Sequence, residues 1–269
     1  MRNSKKIITA IALVITLIGY YLEKQASEKN IPVITEENTS SRNEQFDFFP
    51  SSTTNQIVHH NYYSLSYSEE HEQAEWVAYA LHKKDIAYTN FKRPFFVSDP
   101  NVRTTSASWK NYKRSGYDKG HLCPAGDRKF SLKAFDETFY TSNITPQKHK
   151  FNAGIWNKLE QKTRYWAKKY KHLYVVTGGV LDANPLKTIG KERVTVPHAF
   201  YKVLLDYTKP EIKVIAFLIP HKESKKPLSD FVISIDELEK ITKLDFFPNL
   251  PNDIENKLEA SVNYKKWAF

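Results

Sequence analysis

Cys123 is the only cysteine among 269 residues, and it removes the usual covalent ways of holding a fold together. No intrachain disulfide can form, and neither a four-cysteine nor a Cys2His2 zinc site can be assembled. The fold must rest on buried apolar surface instead. Apolar types make up 41% of the chain and aromatic types 14%, with 16 Phe, 16 Tyr and 5 Trp, enough for a sizeable core and against wholesale disorder. Lys and Arg number 40 against 30 Asp and Glu, a formal charge of +10. That balance favours a polyanionic partner, nucleic acid or a membrane surface, without naming a function.

The amino terminus carries Arg2, Lys5 and Lys6 ahead of an apolar-leaning run from Ile7 to Leu22. A short basic stretch before such a run has the pattern of a secretory signal. It is somewhat short for a full span, which takes about 20 residues, and no clean Ala-x-Ala site follows. Residues 1–22 are therefore expected to be a signal peptide or a membrane anchor, a buried amino-terminal helix being the bland alternative. Export follows as the expected location: secreted, periplasmic or attached to the outer face of the cytoplasmic membrane. Residues 23–56 are polar and lack periodicity, so a tether is expected there, with folded sequence starting near Ile57 and running to residue 269.

His59–Tyr67 alternates large side chains as a strand does. From Ser68 to Leu81 a serine followed by acids favours helix at the front, with a further strand as the alternative. Tyr117–Asp127 reads as irregular, Phe151–Lys169 as helix and Leu173–Thr177 as a strand stopped by Gly178-Gly179. Ala199–Tyr207 and Ile212–Ile219 suit a hairpin. Ser234, followed by acids, should start a helix, and Asn252–Ala260 a last short one. No repeat or internal linker appears after residue 56, so one α+β domain is expected.

The chemistry concentrates in Asp118-Lys119-Gly120-His121-Leu122-Cys123-Pro124-Ala125-Gly126-Asp127. A histidine here is either structural or, with a pKa near 6.5, a base able to take a proton from water. Asn152 stands at the front of the expected helix. It is either a cap or a hard oxygen ligand for Mg²⁺. On an ideal helix Glu160 lies about 12 Å further along and about 80° around, a broad shared face. Glu160 pairs with Arg164 at i,i+4, or Arg164 binds phosphate, and both can hold. The lysines between Lys148 and Lys171 are a solvated face or a track for a polyanion backbone.

Together these residues resemble the DNA/RNA non-specific endonucleases, with their ββα-metal or His-Me finger core. The family motif Asp-Arg-Gly-His followed by Pro-Ala is matched by Asp118-Lys119-Gly120-His121 and Pro124-Ala125. A second block is matched by Thr141-Ser142-Asn143-Ile144-Thr145-Pro146-Gln147 and Asn152 through Glu160. Trp76-Val77-Ala78-Tyr79, Val176-Thr177-Gly178-Gly179, Phe200-Tyr201-Lys202 and Asp245-Phe246-Phe247-Pro248 agree further, so the likeness covers roughly residues 57–255.

The resemblance implies a single α+β domain with a central, mainly antiparallel sheet flanked by helices. It implies a metal-dependent, sugar-non-specific endonuclease that cuts DNA and RNA, contacts them mainly through the phosphate backbone and leaves 5′-phosphate ends. His121 takes the place of the general base, and Asn152 that of the single protein ligand to Mg²⁺, with Mn²⁺ or another divalent cation as substitutes. Glu160 falls where the family orders the waters around the metal. Arg93 and Arg164 fall on phosphate-contacting arginines, Asn143 on a supporting active-site asparagine, and Asp118 on a loop-holding residue. The motif's arginine is Lys119 here, which keeps the charge but loses the bidentate fork. That departure keeps open a catalytically weak nucleic-acid-binding protein for DNA capture or uptake. A phosphodiesterase for smaller substrates would use the same core. Cys123 is expected to be buried and inert, and Gly178-Gly179 lacks the Lys-Ser/Thr of a P-loop.

Overall fold

The acids after Ser68 build a turn, not a helix. Glu69 to Glu72 connect two strands, and Glu72 closes the turn with φ of +53°. The chain then runs extended through Gln73–His82, buried at nearly every position. Such a stretch has no 3.6-residue period to find, because both faces of the strand are covered. The computed structural model describes residues 48–182, 187–208, 210–260, 262 and 264–269. The chain divides into two units, Met1–Phe46 and Asp47–Phe269. Every described residue belongs to the second, and the apolar run of residues 7–22 lies outside them.

The strands are β1 (Ile57–His59), β2 (Ser64–Ser68), β3 (Gln73–His82), β4 (Asp118–His121), β5 (Ile144–Gln147), β6 (His172–Gly179), β7 (Thr188–Ile189), β8 (Val194–Thr195), β9 (Ala199–Asp206), β10 (Lys213–Pro220) and β11 (Val232–Ile233). Seven form one sheet in the order β1-β2-β3-β6-β9-β10-β11, with every pairing antiparallel. β4 pairs with β5, and β7 with β8, as separate two-stranded ribbons. The helices are α1 (Leu132–Glu137), α2 (Asn157–Tyr170), α3 (Ile235–Thr242) and α4 (Asn252–Glu259). Ser234 caps α3 as expected, accepting from the Glu237 amide at 3.1 Å.

Register explains the double-sided core. Tyr79, Val175, Leu204 and Ile215 stand opposite one another across four strands, and so do Ala78, Val176, Val203 and Ala216 one residue along. Successive residues point to opposite faces, so each row belongs to a different layer. The first layer receives α2 and the turn before it: Trp166 stacks on Phe217 at 6.0 Å, and Trp156 meets Phe200 at 5.6 Å. On the second, Tyr201 meets Phe246 at 5.8 Å and Trp76 stacks on Phe49 at 6.0 Å.

Phe49 lies inside the expected tether, and the ordered fold therefore starts before Ile57. Pro50 is buried, the Trp76 indole donates to the Ser51 carbonyl at 2.9 Å, and the Thr53 amide donates to Glu75 Oε1 at 3.0 Å. Polar composition disguised this segment because its polar groups serve a buried carboxylate.

Candidate active site

Within the expected irregular stretch Tyr117–Asp127, Asp118–His121 form strand β4. Gly120 permits this, since a Cβ there would fall 2.2 Å from the Gln147 side chain on β5. Lys119 and His121 point to the same face of the strand. Two phenylalanines receive them. The His121 ring lies 5.4 Å from Phe96 and 5.1 Å, edge-on, from Phe139. Lys119 Nζ stands 5.4 Å over Phe96, and the Arg93 guanidinium 5.4 Å over Phe139. The chain thus brings Arg93, Lys119 and His121 together.

Burial first, and the nearby Arg93 charge second, lower the His121 pKa to about 3. The imidazole is neutral at physiological pH. Its Nε2 is buried without a hydrogen-bond partner, an exception that calls for a functional account. Asn143 is the opposite case, fully buried with its amide fully engaged. It accepts from the Cys123 amide at 2.8 Å and donates to the carbonyls of Cys123 and Thr138 at 3.0 and 2.9 Å. Asn143 fixes the loop just after His121.

The expected helix from Phe151 is not one helix. A single turn, His149–Phe151, leads into a π-type turn, Asn152–Trp156, and only then into α2. Gly154, at φ −97° and ψ −110°, breaks the helical path. The 80° separation on an ideal wheel therefore does not describe Asn152 and Glu160. Wide turns of this kind gather at functional sites. Asn152 caps nothing with its side chain. Its Nδ2 donates to Asp118 Oδ2 at 3.0 Å, and His149 Nδ1 reaches the same oxygen at 2.9 Å. With the amide nitrogen held by a carboxylate, the carbonyl oxygen is the end left for a cation. Asp118 is thus an orienting residue for Asn152.

Glu160 sits among buried charges. Burial raises its pKa to about 7, with Lys202 pulling it down, Asp127 pushing it up and Arg164 pulling it down. Lys202 on β9 is fully buried, its Nζ 5.1 Å from the Trp156 ring and without a hydrogen-bond acceptor. Arg164 acts on Glu160 through its charge, but its hydrogen bond goes to a partner that the i,i+4 spacing did not suggest. Its Nη1 donates to Asp127 Oδ1 at 2.7 Å, while Tyr79 Oη donates to Asp127 Oδ2 at 2.9 Å. Asp127 is thereby bonded through both carboxylate oxygens, one to the α2 arginine and one to a β3 tyrosine.

Sequence reasoning gave no role to Asp127, Lys202, Gln147 or the two phenylalanines. Lys202 stood inside a quoted motif, Phe200-Tyr201-Lys202, but nothing marked its side chain as buried. Two acidic groups among the described residues are able to hold a divalent cation: Asp236, Glu239 and Glu259, and Asp245, Glu255 and Glu259. They lie at the carboxy-terminal helices and include no residue of the β4–β5–α2 motif.

Residues 41–253 match the family described as DNA/RNA non-specific endonuclease. The chain is 36% identical over 202 residues to the mitochondrial nuclease EXOG of Danio rerio, covering 69% of this chain and 59% of that protein. It is 33% identical over 205 residues to the mitochondrial endonuclease G of Homo sapiens, covering 70% and 68%. The structure of an EndoG/EndoGI complex, titled for the mechanism of EndoG inhibition, superposes with a TM-score of 0.68 at 29% identity, covering 76% of this chain and 89% of that one. The chain spans only about three fifths of the EXOG relatives it matches. These matches correct the exported location expected from the amino terminus, because the EXOG and endonuclease G relatives are mitochondrial. No helix among the described residues is long and apolar enough to cross a membrane. A basic stretch before an apolar run reports that a segment leaves water readily, not the membrane to which it is delivered.

Proposed function

Because the chain belongs to the DNA/RNA non-specific endonuclease family, we propose that it hydrolyses phosphodiester bonds in DNA and RNA, reading the backbone and not the sequence. The observation that carries this is the neutral His121, with one ring nitrogen unpartnered, between two cations. A neutral imidazole is the form able to take a proton, and a phosphate anion drawn in by Arg93 and Lys119 would raise the low proton affinity of this ring. Arg93 and Lys119 neutralise charge growing on the phosphoryl oxygens, and Asn143 holds the His121 loop still.

The residues fit a divalent cation, Mg²⁺ or Mn²⁺, on the Asn152 side-chain oxygen, since Asp118 engages the amide nitrogen and not that oxygen. When bound, such an ion supplies Lewis-acid stabilisation of the phosphate and leaving oxygen. Glu160, kept partly ionised by Lys202 and Arg164, would order water around that ion. One protein ligand makes the ion easily chelated. The product would carry 5′-phosphate ends.

The test incubates the full chain with plasmid DNA and with RNA, in Mg²⁺ and in excess chelator, beside His121→Ala. Metal-dependent degradation reduced about 10²- to 10⁴-fold in the variant is expected. DNA that is shifted on a gel but never cut, across several divalent metals, would replace this reading with a binding protein.

A further inference from the structure

His221 follows β10 directly and is buried, 5% exposed, with the Phe151 and Phe200 rings edge-on at 5.1 and 5.0 Å. Both ring nitrogens are bonded. The Lys148 backbone amide donates to Nε2 at 2.7 Å, and Nδ1 lies 2.8 Å from the Pro197 carbonyl. A backbone N–H can only donate, so Nε2 is the bare nitrogen and Nδ1 carries the proton to Pro197. Burial lowers the pKa of this ring to about 4, in keeping with that neutral tautomer.

Lys148 is where the turn carrying Asn152 begins. Its own side chain caps nothing, while its carbonyl accepts from the amides of Phe151 and Asn152 at 3.0 and 2.9 Å. The first amide of a helix needs an acceptor from elsewhere, and His221 supplies it across the sequence. One imidazole thus ties the entrance to β9, the end of β10 and the first residue of the turn that presents Asn152.

We infer that His221 is a positioning residue for the metal site, fixing the start of the Asn152 turn through the Lys148 amide. The inference rests on the proposed role of Asn152 as ligand. Packing alone would not need a nitrogen at that place. The bond to Lys148 would.

Glutamine and asparagine separate these roles. Glutamine places an amide oxygen near the Nε2 position and can accept from Lys148. Asparagine is shorter, reaches Pro197 and falls short of Lys148. The experiment measures Mn²⁺ binding to full-length protein from loss of the free-ion paramagnetic resonance signal, together with the Mg²⁺ concentration for half-maximal plasmid nicking. Asn152→Ala is run in parallel and defines which part of the binding belongs to this site and which to the carboxy-terminal acids. His221→Asn and His221→Phe should each raise the half-maximal Mg²⁺ about fivefold, the worth of one net hydrogen bond, and weaken the Asn152-dependent Mn²⁺ binding equally. His221→Gln should stay within about twofold of wild type on the same reasoning. If Asn152→Ala shifts both titrations while folded His221→Asn does not, the inference fails and the ligand stands. If Asn152→Ala shifts neither, the ligand assignment itself fails. Should His221→Phe not fold, the contrast between asparagine and glutamine still decides, and equal behaviour of those two overturns the inference.

Discussion

His121 and Glu160 are both half-buried, and loss of solvent moves the two titrating groups in opposite directions. His121 falls to about 3 and Glu160 rises to about 7. In each the neutral form is favoured, but the surroundings differ. His121 is enclosed by Phe96 and Phe139, and its Nε2 has no partner. Glu160 shares its enclosure with Lys202, Asp127 and Arg164. An aromatic pocket leaves a base free at the expense of an unsatisfied atom. A charged pocket lets a carboxylate keep part of its charge, at the expense of making each charge depend on the others. On the proposed mechanism the pairing divides the work: one site takes protons, the other holds charge.

The two pockets should break differently. Lys202→Met leaves Glu160 and Asp127 facing Arg164 alone, so a buried carboxylate loses its counter-charge. Removing one member of a buried ionic group costs about 3–5 kcal/mol, readable as a lower urea midpoint. His121→Phe replaces an orphaned polar ring by an apolar one among phenylalanines and should leave stability at neutral pH unchanged or improved, while turnover is lost. The sign with pH follows from the lowered histidine. Below about 6.5 the unfolded histidine takes up a proton that the folded one refuses, so wild-type stability falls as pH drops toward 3. The advantage of His121→Phe should therefore grow over that window. A Lys202→Met protein as stable as wild type, or a strongly destabilised His121→Phe, would erase the distinction.

Little of this pairing was visible in the chain, although its two ends were. His121, Asn152 and Glu160 are found by residue type and spacing, and the β9–β10 hairpin by its apolar runs. What spacing cannot give is a partner from far along the chain. Arg164 has an acid four residues before it and chose Asp127. His221 acts on Lys148 through a single nitrogen. The helix through Asn152 looked continuous because a π turn uses the same residue types as an α turn. β3 stood only as the alternative to a helix for the converse reason: Glu69, Glu70 and Glu72 lie in the turn before it, and its apolar residues serve two layers at once.

Glu160 supplies the next test. A carboxyl raised to about 7 takes up a proton as pH falls through neutrality, and the charge that orders water is lost with it. Turnover should decline below pH 7, approaching tenfold for each further unit. His121 is not the source of that limb, being deprotonated far lower. In Glu160→Gln the plateau should drop and the limb near 7 should vanish. A limb that persists unchanged would return the titration to the histidine and remove the division of work.

Lys119→Arg gives the smallest effect and the finest reading of the aromatic pocket. Lys119 presents a point charge 5.4 Å over Phe96, where an arginine could lay its plane on the same ring and offer a fork to phosphate. A second charge-assisted hydrogen bond, in place of one ammonium contact, is worth about 1 kcal/mol net, so kcat/KM on DNA should rise about threefold to fivefold. The gain should fall on kcat if the fork meets the phosphoryl group only as charge develops, and on KM if it merely holds the backbone. The His121 ring shares Phe96 with this side chain, so a bulkier guanidinium has a second possible consequence. If Lys119→Arg lowers activity and alters its dependence on pH below neutrality, the pocket is too tightly packed for the fork, and lysine stands here because the base needs the space.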